Sequence, residues 1–230
     1  MARAIDGIPG AIVCPVFIGR QPDLSALRAL IDRQQRGQGH MILVSGEAGI
    51  GKSRLLAETK AYAAAHNVAL FQGNCFETDR TLPYAPLLDI FRSYFARIPP
   101  ASEDSVKPLL AELSAVLPEL ALLFPELANG TAAPPTDPEQ QKRRLFAVMT
   151  HFFTERAMRH PVLLVVEDVH WCDDLSLQFL LHLARRCQQA PLLMLVTYRS
   201  DETQLRLRQW LASLDREHLA RESALERLSR

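Results

Sequence analysis

Three uninterrupted apolar runs of strand length stand out along the chain. They are Met41–Ser45, Val162–Val166 and Leu192–Thr197. A fourth run, Val68–Gly73, also has the composition of a strand. Apolar strands joined by helices are typical of a parallel sheet that is covered by helices on both faces. The hydrophobic pattern therefore predicts an α/β fold.

Helical periodicity fills most of the intervals between these runs. Apolar residues recur at helical spacing, and the predicted helices cover about residues 22–35, 54–65, 138–159 and 174–188. From about residue 76 to 138 the pattern is helical but broken by prolines, which predicts a helical insertion beside the sheet. Residues 1–16 contain glycines and prolines without a helical period and are expected to form a flexible leader. A single domain is predicted over residues 17–230.

A glycine-rich segment follows the first apolar run. Gly46-Glu47-Ala48-Gly49-Ile50-Gly51-Lys52-Ser53 fits the phosphate-binding pattern G-x-x-x-x-G-K-S/T. Glycines allow the backbone to turn at positive φ and to present successive N–H groups to phosphate oxygens. Lys52 would reach the β- and γ-phosphates, and the Ser53 hydroxyl would bind Mg²⁺. From Arg54 a helix is predicted, with its positive N-terminal end towards the anion. This segment, Gly46–Ser53, is called the phosphate loop below.

Acidic residues end the second long apolar run. Glu167 and Asp168 follow it directly, which matches the acidic strand end (Walker B) that accompanies a phosphate loop. One carboxylate there would hold the metal and the other would polarise the attacking water, and the residues alone do not say which acid does which. His170 and Asp173 are either structural neighbours or groups that tune the water. Arg199 ends the last apolar run and is a candidate γ-phosphate sensor.

Composition narrows the function classes. The chain has 230 residues and a formal net charge of +0, so its overall charge predicts neither nucleic-acid nor membrane binding. The four cysteines show no C-x-x-C spacing, which disfavours a metal site or a disulfide framework. No apolar run reaches membrane-spanning length and no signal-peptide layout is present, so a cytoplasmic protein is expected.

Four segments in this order resemble a known family. Phe17-Ile18-Gly19-Arg20, the phosphate loop, the Val165–Asp174 segment and Val196-Thr197-Tyr198-Arg199-Ser200-Asp201-Glu202 are similar to the signalling ATPases of the STAND group. More narrowly, they resemble the AAA-type, origin-recognition-like ATPase domain of large LuxR-type (MalT-like) transcriptional regulators and of ATPase-fused adenylyl cyclases. The resemblance runs from about Phe17 to the C-terminus.

The resemblance implies a fold and a set of site residues. The fold is that of a P-loop NTPase with a parallel sheet in the order 5-1-4-3-2, sandwiched by helices, with the fifth strand possibly incomplete near the C-terminus. The cofactors implied are ATP and Mg²⁺. The implied nucleotide contacts are Phe17, Ile18, Gly19 and Arg20 at the adenine, and Gly46, Glu47, Ala48, Gly49, Ile50, Gly51, Lys52, Ser53 and Arg54 at the phosphates. Ser53, Glu167 and Asp168 are the implied metal ligands, and Glu167, Asp168 and Arg199 the catalytic residues.

Two features depart from the family pattern. The commoner acid order in AAA proteins begins with Asp, whereas Glu167 comes first here, which leaves the division of roles between the two acids open. In the regulators the ATPase domain also continues into a lid, a sensor and an effector such as a helix-turn-helix. None of these follows in this chain, so a fragment is expected, and no arginine finger can be assigned.

Three functions are compatible with these motifs. The leading one is an ATP-binding, slowly hydrolysing switch domain whose nucleotide state controls self-association or an effector in cis. The second is a small-molecule kinase, which would need a base such as Glu77, Asp79 or Asp89. The third is a DNA-associated origin-type ATPase, which the neutral charge and the missing winged helix disfavour.

Overall fold

The computed structural model describes residues 19–34, 36–95 and 137–227. The strands are β1 His40–Ser45, β2 Ala69–Asn74, β3 Val162–Glu167, β4 Leu192–Tyr198 and β5 Arg221–Ala224. The helices are α1 Gln21–Gln34, α2 Lys52–Ala65, α3 Ala85–Phe95, α4 Pro138–Arg159, α5 Asp174–Cys187 and α6 Leu205–Arg216. Short 3₁₀ turns cover Glu77–Asp79, Val169–Trp171 and Ser200–Glu202.

The five strands form one parallel sheet in the order β2-β3-β4-β1-β5. This is the predicted order 5-1-4-3-2 read from the other edge, so the predicted α/β fold is confirmed. β1 pairs with β4 from His40↔Leu193 to Ser45↔Tyr198. Because parallel strands point the same way, the loops after β1, β3 and β4 all leave the sheet at the C-terminal ends of the strands. Ligands bind at these strand ends in open α/β sheets.

Side chains alternate between two buried cores along each central strand. On β3, Leu163 and Val165 belong to the core under α1 and α2, while Leu164 and Val166 belong to the larger core under α3–α6. All of these residues are fully buried. Since both faces are covered, these strands contain no polar positions until they reach the edge of the sheet. The first polar side chains after the apolar runs therefore lie at the ends of these strands and in the loops that follow them.

The β2 edge of the sheet requires a close approach by α3. A Cβ added at Gly73 would lie 2.3 Å from the Pro86 carbonyl oxygen and 2.9 Å from Ile90 Cγ1. Helix α3 buries Leu87, Leu88, Ile90 and Phe91 against this part of the sheet. Glycine is therefore the residue that lets α3 pack directly on β2.

The predicted element boundaries differ from the structure by one or two residues. The α4 helix has the predicted limits, 138–159, whereas α2 begins at Lys52 rather than Arg54. The fifth strand, which was expected near the C-terminus and possibly incomplete, spans Arg221–Ala224. The leader at 1–16 and most of the predicted insertion lie outside the described residues. The described parts of the insertion include α3 and a turn at Glu77–Asp79.

Candidate functional site

The phosphate loop connects β1 to α2 in a conformation that its glycines make possible. Gly49 and Gly51 have φ values of 74° and 104°, in the left-handed region that side chains rarely adopt. Gly51 is also the N-cap of α2 and provides no side-chain acceptor for the first turn of the helix. The leading N–H groups of α2 are therefore available to an anion, as at other helix N-termini that bind phosphate.

Lys52 lies buried at the base of this loop. Its Nζ donates hydrogen bonds to the carbonyl oxygens of Gly46 (2.6 Å) and Glu47 (2.9 Å). Burial lowers the pKa of Lys52 below its ordinary value, and the nearby charge of Asp168 opposes this shift most strongly. The predicted phosphate-binding lysine and one of the predicted acids thus share the same electrostatic environment.

Glu167 is directed towards α2 rather than towards the end of the sheet. It continues the face of β3 that packs under α2, where its Oε1 lies 3.1 Å from Lys60 Nζ. The same oxygen accepts a hydrogen bond from Gln72 Nε2 at 3.1 Å. Lys60 Nζ also donates a hydrogen bond to Gln72 Oε1 at 3.1 Å. The first of the two acids therefore belongs to a polar network that joins α2, β2 and β3.

Asp168 has a different environment. It adopts a left-handed backbone conformation with φ 60°, which is uncommon outside glycine and turns the chain sharply after β3. Its backbone N–H donates to Thr197 Oγ1 at 2.9 Å, which fixes the turn to β4. Of the two acids, Asp168 is the one whose charge acts on Lys52.

Arg199 directly follows β4, the strand that lies between β3 and β1 in the sheet. Its Nη1 lies 2.5 Å from Glu202 Oε1, and this hydrogen bond raises the pKa of Arg199 further. The charge of Arg199 also lowers the pKa of Lys52, after burial. The backbone N–H of Ser200 donates to the Gly46 carbonyl oxygen at 3.4 Å, so the turn after β4 contacts the phosphate loop. The candidate sensor thus lies close to the loop but is paired with an acid.

The two residues left open in the Val169–Asp174 segment have different positions. Asp173 is the N-cap of α5, where its Oδ1 accepts from the Ser176 N–H at 2.9 Å. His170 is buried between Asp168 and Glu202. Trp171 packs beside His170, with 5.0 Å between ring centroids, and the guanidinium of Arg80 lies 4.8 Å from the Trp171 ring centroid.

Of the segment that was expected at the adenine, residues 17–20, Phe17 and Ile18 lie outside the described residues. Gly19 has no side chain, so the described side-chain contacts are those of Arg20. Arg20 is buried, and its guanidinium donates to the carbonyl oxygens of Ile50 (3.4 Å) and Glu226. It therefore connects the chain before α1 to the phosphate loop and to the segment after β5.

The remaining predicted contact residues are solvent-accessible. Glu47, Ala48, Gly49 and Ser53 are exposed, and Ile50 and Arg54 are half-buried. Arg54 pairs with Glu58 at 2.8 Å within α2, and Glu47 pairs with Arg227 at 2.6 Å. No cluster of three or more His, Cys, Asp or Glu that could hold a metal occurs in residues 19–34, 36–95 and 137–227. Magnesium in nucleotide sites commonly uses one or two protein ligands together with phosphate oxygens, a pattern that Ser53 and one acid could satisfy.

The candidate bases for a kinase have other contacts. Asp89 Oδ2 accepts from the Asn74 backbone N–H at 3.2 Å and from Asn74 Nδ2 at 3.0 Å, which ties α3 to the end of β2. Asp79 accepts a hydrogen bond from Thr78, and Glu77 is exposed. Asp89 therefore makes a structural contact, while Glu77 and Asp79 occupy surface positions.

Three residues near the site were not identified from the sequence: Lys60, Thr197 and Glu202. Thr197 and Glu202 lie in the Val196–Glu202 segment, two and three residues from Arg199, and this closeness in sequence to the candidate sensor is the signal that could identify them. Lys60 had no such signal. It lies two turns into α2, and only the fold reveals that it reaches β3.

The sequence of this chain is similar to a known family and to a bacterial protein. The family model for the AAA ATPase domain matches residues 16–196. An uncharacterized protein of Rhizobium meliloti (strain 1021) is 29% identical over 196 residues, covering 80% of this chain and 18% of that protein. The chain thus corresponds to less than a fifth of this relative.

Solved structures resemble the fold at low sequence identity. Cdc6p from Pyrobaculum aerophilum has a TM-score of 0.51 at 14% identity, covering 94% of this chain and 47% of that one. A signal transduction ATPase with numerous domains (STAND) and a tetratricopeptide repeat sensor, from Pyrococcus horikoshii, has a TM-score of 0.45 at 16% identity, covering 94% and 24%.

Within the described ranges, none of the helices combines the length and the hydropathy needed to cross a bilayer.

The family match extends over more than half of the chain, and the sheet order is that of AAA-type P-loop NTPases. The chain belongs to the AAA ATPase domain family.

Proposed function

We propose that this chain binds ATP with Mg²⁺ and hydrolyses it slowly, as a nucleotide-dependent switch in a larger signalling or transcriptional regulator of the LuxR (MalT-like) type. The observation that supports nucleotide binding best is the position of Lys52. Its ammonium group lies inside a loop of left-handed glycines, at the N-terminus of a helix, within electrostatic reach of Asp168. The ammonium group, the left-handed glycines and the helix N-terminus favour a bound anion, whereas the Asp168 carboxylate would favour a cation such as Mg²⁺ beside it.

In this proposal the residues divide the work as follows. The N–H groups of the phosphate loop and Lys52 would hold the β- and γ-phosphates. Ser53 and one of the two acids would hold Mg²⁺, which supplies charge neutralisation between the phosphates. The other acid would orient the attacking water, and Arg199 would contact the γ-phosphate. Gly19 and Arg20, with Phe17 and Ile18, would lie along the adenine.

The switch role rests on the contacts of Arg199. For Arg199 to reach a γ-phosphate, its ion pair with Glu202 must open, so the turn Ser200–Glu202 would differ between ATP and ADP states. Self-association in the ATP state and control of an effector in cis are part of the same proposal. Slow turnover is expected if no arginine finger is provided, because that group contributes several orders of magnitude in rate.

Substitution of Lys52 tests nucleotide binding. Lys52→Ala is expected to abolish tight ATP binding, measured by isothermal titration calorimetry, while the circular dichroism spectrum stays unchanged. Lys142→Ala is the matched control, since Lys142 forms an ion pair with the exposed Glu139 near the start of α4. Equal ATP affinity of the Lys52 variant and the wild type would rule out the proposed site.

The kinase alternative is tested with the same protein. Incubation with γ-labelled ATP and a small-molecule extract should yield ADP and free phosphate only. Transfer of label to a small molecule would favour a phosphotransferase and would contradict the proposed switch.

A further inference from the structure

Glu222 lies on the short edge strand β5, and its carboxylate accepts hydrogen bonds from two other strands. Its Oε1 accepts from Ser45 Oγ at 2.6 Å and from Tyr198 Oη at 2.6 Å. Both distances lie at the short end of the range for O–H···O bonds, as expected when the acceptor is a carboxylate. Ser45 ends β1 and Tyr198 ends β4, so a single oxygen joins three strands of the sheet. These two hydrogen bonds are called the Glu222 bridge below.

The two hydroxyl groups of the bridge belong to buried residues, although the carboxylate does not. Ser45 and Tyr198 are 3% and 5% exposed, whereas Glu222 is exposed. Buried hydroxyl groups need hydrogen-bond partners, and Glu222 provides an acceptor for both. Burial raises the pKa of Tyr198, and the hydrogen bond to Glu222 raises it further. The hydroxyl of Tyr198 therefore keeps its proton and remains a donor.

The order of the strands explains why one long and one short side chain take part. β1 lies between β4 and β5, and neighbouring strands are about 4.8 Å apart. Tyr198 must therefore reach across β1 to meet a residue of β5. The position that it crosses is Ser45, its register partner on β1. A serine there has a short side chain that lets the phenol pass, and it adds a second hydroxyl donor.

Both strand ends that the bridge joins lead directly into predicted phosphate contacts. Gly46, the first residue of the phosphate loop, follows Ser45, and Arg199 follows Tyr198. The bridge is thus one residue away from the loop on β1 and one residue away from the candidate sensor on β4. Its third member belongs to β5, which makes no predicted contact with the nucleotide itself.

We propose that Glu222 is a positioning residue that holds Arg199 at the distance from the phosphate loop that a γ-phosphate requires, and that β5 thereby sets the preference of the site for ATP over ADP. The loop amides and Lys52 hold the β-phosphate of either nucleotide, whereas the contact of Arg199 needs a γ-phosphate. Loss of the bridge therefore weakens ATP binding more than ADP binding. This inference rests on the proposed nucleotide-binding function of the same site.

Two variants remove the bridge from opposite ends. Glu222→Ala removes the acceptor, and Tyr198→Phe removes one donor while it keeps the aromatic ring. Calorimetry with Mg²⁺ measures the affinities for ADP and for a non-hydrolysable ATP analogue. We expect the ratio of ATP-analogue affinity to ADP affinity to fall about tenfold in Glu222→Ala, as for loss of a hydrogen bond between charged groups. The ratio should fall in the same direction in Tyr198→Phe. An unchanged ratio in Glu222→Ala would overturn the proposal.

Glu222→Gln distinguishes positioning from a general effect of the charge. Its side-chain amide keeps an oxygen that can accept from both hydroxyl groups, so the ratio should stay within about threefold of the wild-type value. A Glu222→Gln variant with the low ratio of Glu222→Ala would contradict the proposed bridge. So would a Glu222→Ala variant that loses ATP-analogue and ADP affinity equally together with thermal stability, because that result assigns Glu222 to stability alone.

The double variant Glu222→Ala with Tyr198→Phe tests whether the two residues act together. If they act through one bridge, the double variant should have a ratio no lower than that of Glu222→Ala, because contacting residues are not additive. Losses that multiply would show independent effects and would overturn the proposal.

Controls separate this inference from the proposed function. Glu217→Ala changes another exposed glutamate that accepts two hydrogen bonds at 2.7 Å, both from Arg185, and it should keep the wild-type ratio. If Glu222→Ala fails to fold, Tyr198→Phe decides, since a wild-type ratio there contradicts the bridge. A wild-type chain that binds both nucleotides equally would overturn this inference but leave the nucleotide site in place. A wild-type chain that binds neither would instead contradict the proposed function.

Discussion

At the scale of single residues, the two adjacent acids of the site have separate environments. Glu167 is neutralised by Lys60 and held by Gln72, whereas Asp168 turns towards the loop that contains Lys52. The end of β3 causes this division, because Glu167 is the last residue of the strand and continues its face under α2, whereas Asp168 adopts a left-handed conformation that turns the chain away. An acid pair that looks equivalent in the sequence is thus split between a polar network in α2 and the candidate phosphate site.

Amide variants of the two acids test their roles. Asp168→Asn, or Glu167→Gln, should retain ATP binding and lose hydrolysis, by about a hundredfold or more if the altered acid orients the water. Phosphate release in a coupled assay and ATP affinity by calorimetry measure these effects. Undiminished release in both variants would contradict the assignment of this strand end as the catalytic acid site.

Lys60 provides a second test at this scale. Its side chain and that of Glu167 are 20% and 15% exposed, so the ion pair is largely shielded from solvent. Lys60→Met keeps the length of the side chain but leaves Glu167 without its cation, and we expect a loss of about 1–3 kcal/mol in the free energy of unfolding. Chemical denaturation measures it. The double variant Lys60→Met with Glu167→Gln should recover part of the loss, and no recovery would contradict the pairing.

The sequence alone could identify the residue types of the site but not their pairings. The phosphate loop and the acidic strand end have fixed spacings, because phosphate binding requires a particular backbone geometry. The contacts of Glu167 with Lys60 and of His170 with Glu202 join residues that are distant in the chain. Such contacts depend on which strands are neighbours in the sheet, and no local pattern encodes them.

At the scale of secondary-structure elements, the cap of α5 decides between two adjacent aspartates. Asp173 is buried and accepts the Ser176 N–H, while Asp174 is exposed in the first turn of the helix. An N-cap aspartate satisfies an otherwise unpaired backbone donor and fixes where the helix begins. The structure thus gives Asp173 a structural position, although it lies only a few residues from the catalytic segment.

Alanine substitutions at these two positions form a matched pair. Asp173→Ala should lower the free energy of unfolding by about 1 kcal/mol, while Asp174→Ala should change it by less than about 0.5 kcal/mol. Thermal and urea unfolding measure the difference. Equal losses for the two variants would contradict the cap, and a specific loss of hydrolysis in folded Asp173→Ala would indicate a catalytic role instead.

Elements with strong local patterns were predicted best. The α4 helix has an aspartate cap at Asp137 and a proline in its first turn, and both ends were predicted correctly. β5 was expected only near the C-terminus and possibly incomplete, without defined limits. Its residues Arg221–Ala224 are short and mostly polar, and the strand exists because its backbone pairs with β1. An edge strand of this kind has little hydrophobic periodicity, so the sequence gives few clues to its position.

At the scale of the whole molecule, two distant segments meet on the phosphate loop. Arg20 contacts the carbonyl oxygens of Ile50 and Glu226, and Arg227 pairs with Glu47.

The segment after β5 also contacts the start of the loop through its backbone. Leu225 is buried, and its N–H donates to the Ser45 carbonyl oxygen at 2.8 Å, directly before the loop. A Cβ on Gly46 would lie 3.1 Å from the Leu225 carbonyl oxygen, so the contact between the two segments is tight.

Two arginines allow this arrangement to be tested. Arg20→Ala should lower the free energy of unfolding by about 1–3 kcal/mol, because it leaves carbonyl oxygens of two segments unpaired, and should also weaken ATP binding. Arg227→Ala is the control, since that side chain is 81% exposed and its ion pair is screened by solvent. Thermal unfolding and calorimetry compare the two. Equal effects would contradict a special contribution of Arg20.

The meeting of Arg20, Ile50 and Glu226 has a mechanical consequence. A pull or twist applied to the chain before α1 or after β5 would reach the phosphate-binding backbone through a few bonds, without passing through the sheet. Conversely, any tightening of that backbone around a ligand would be felt at both places together. Displacement of either segment can therefore change the affinity of the phosphate loop for a ligand, and ligand binding can displace both segments.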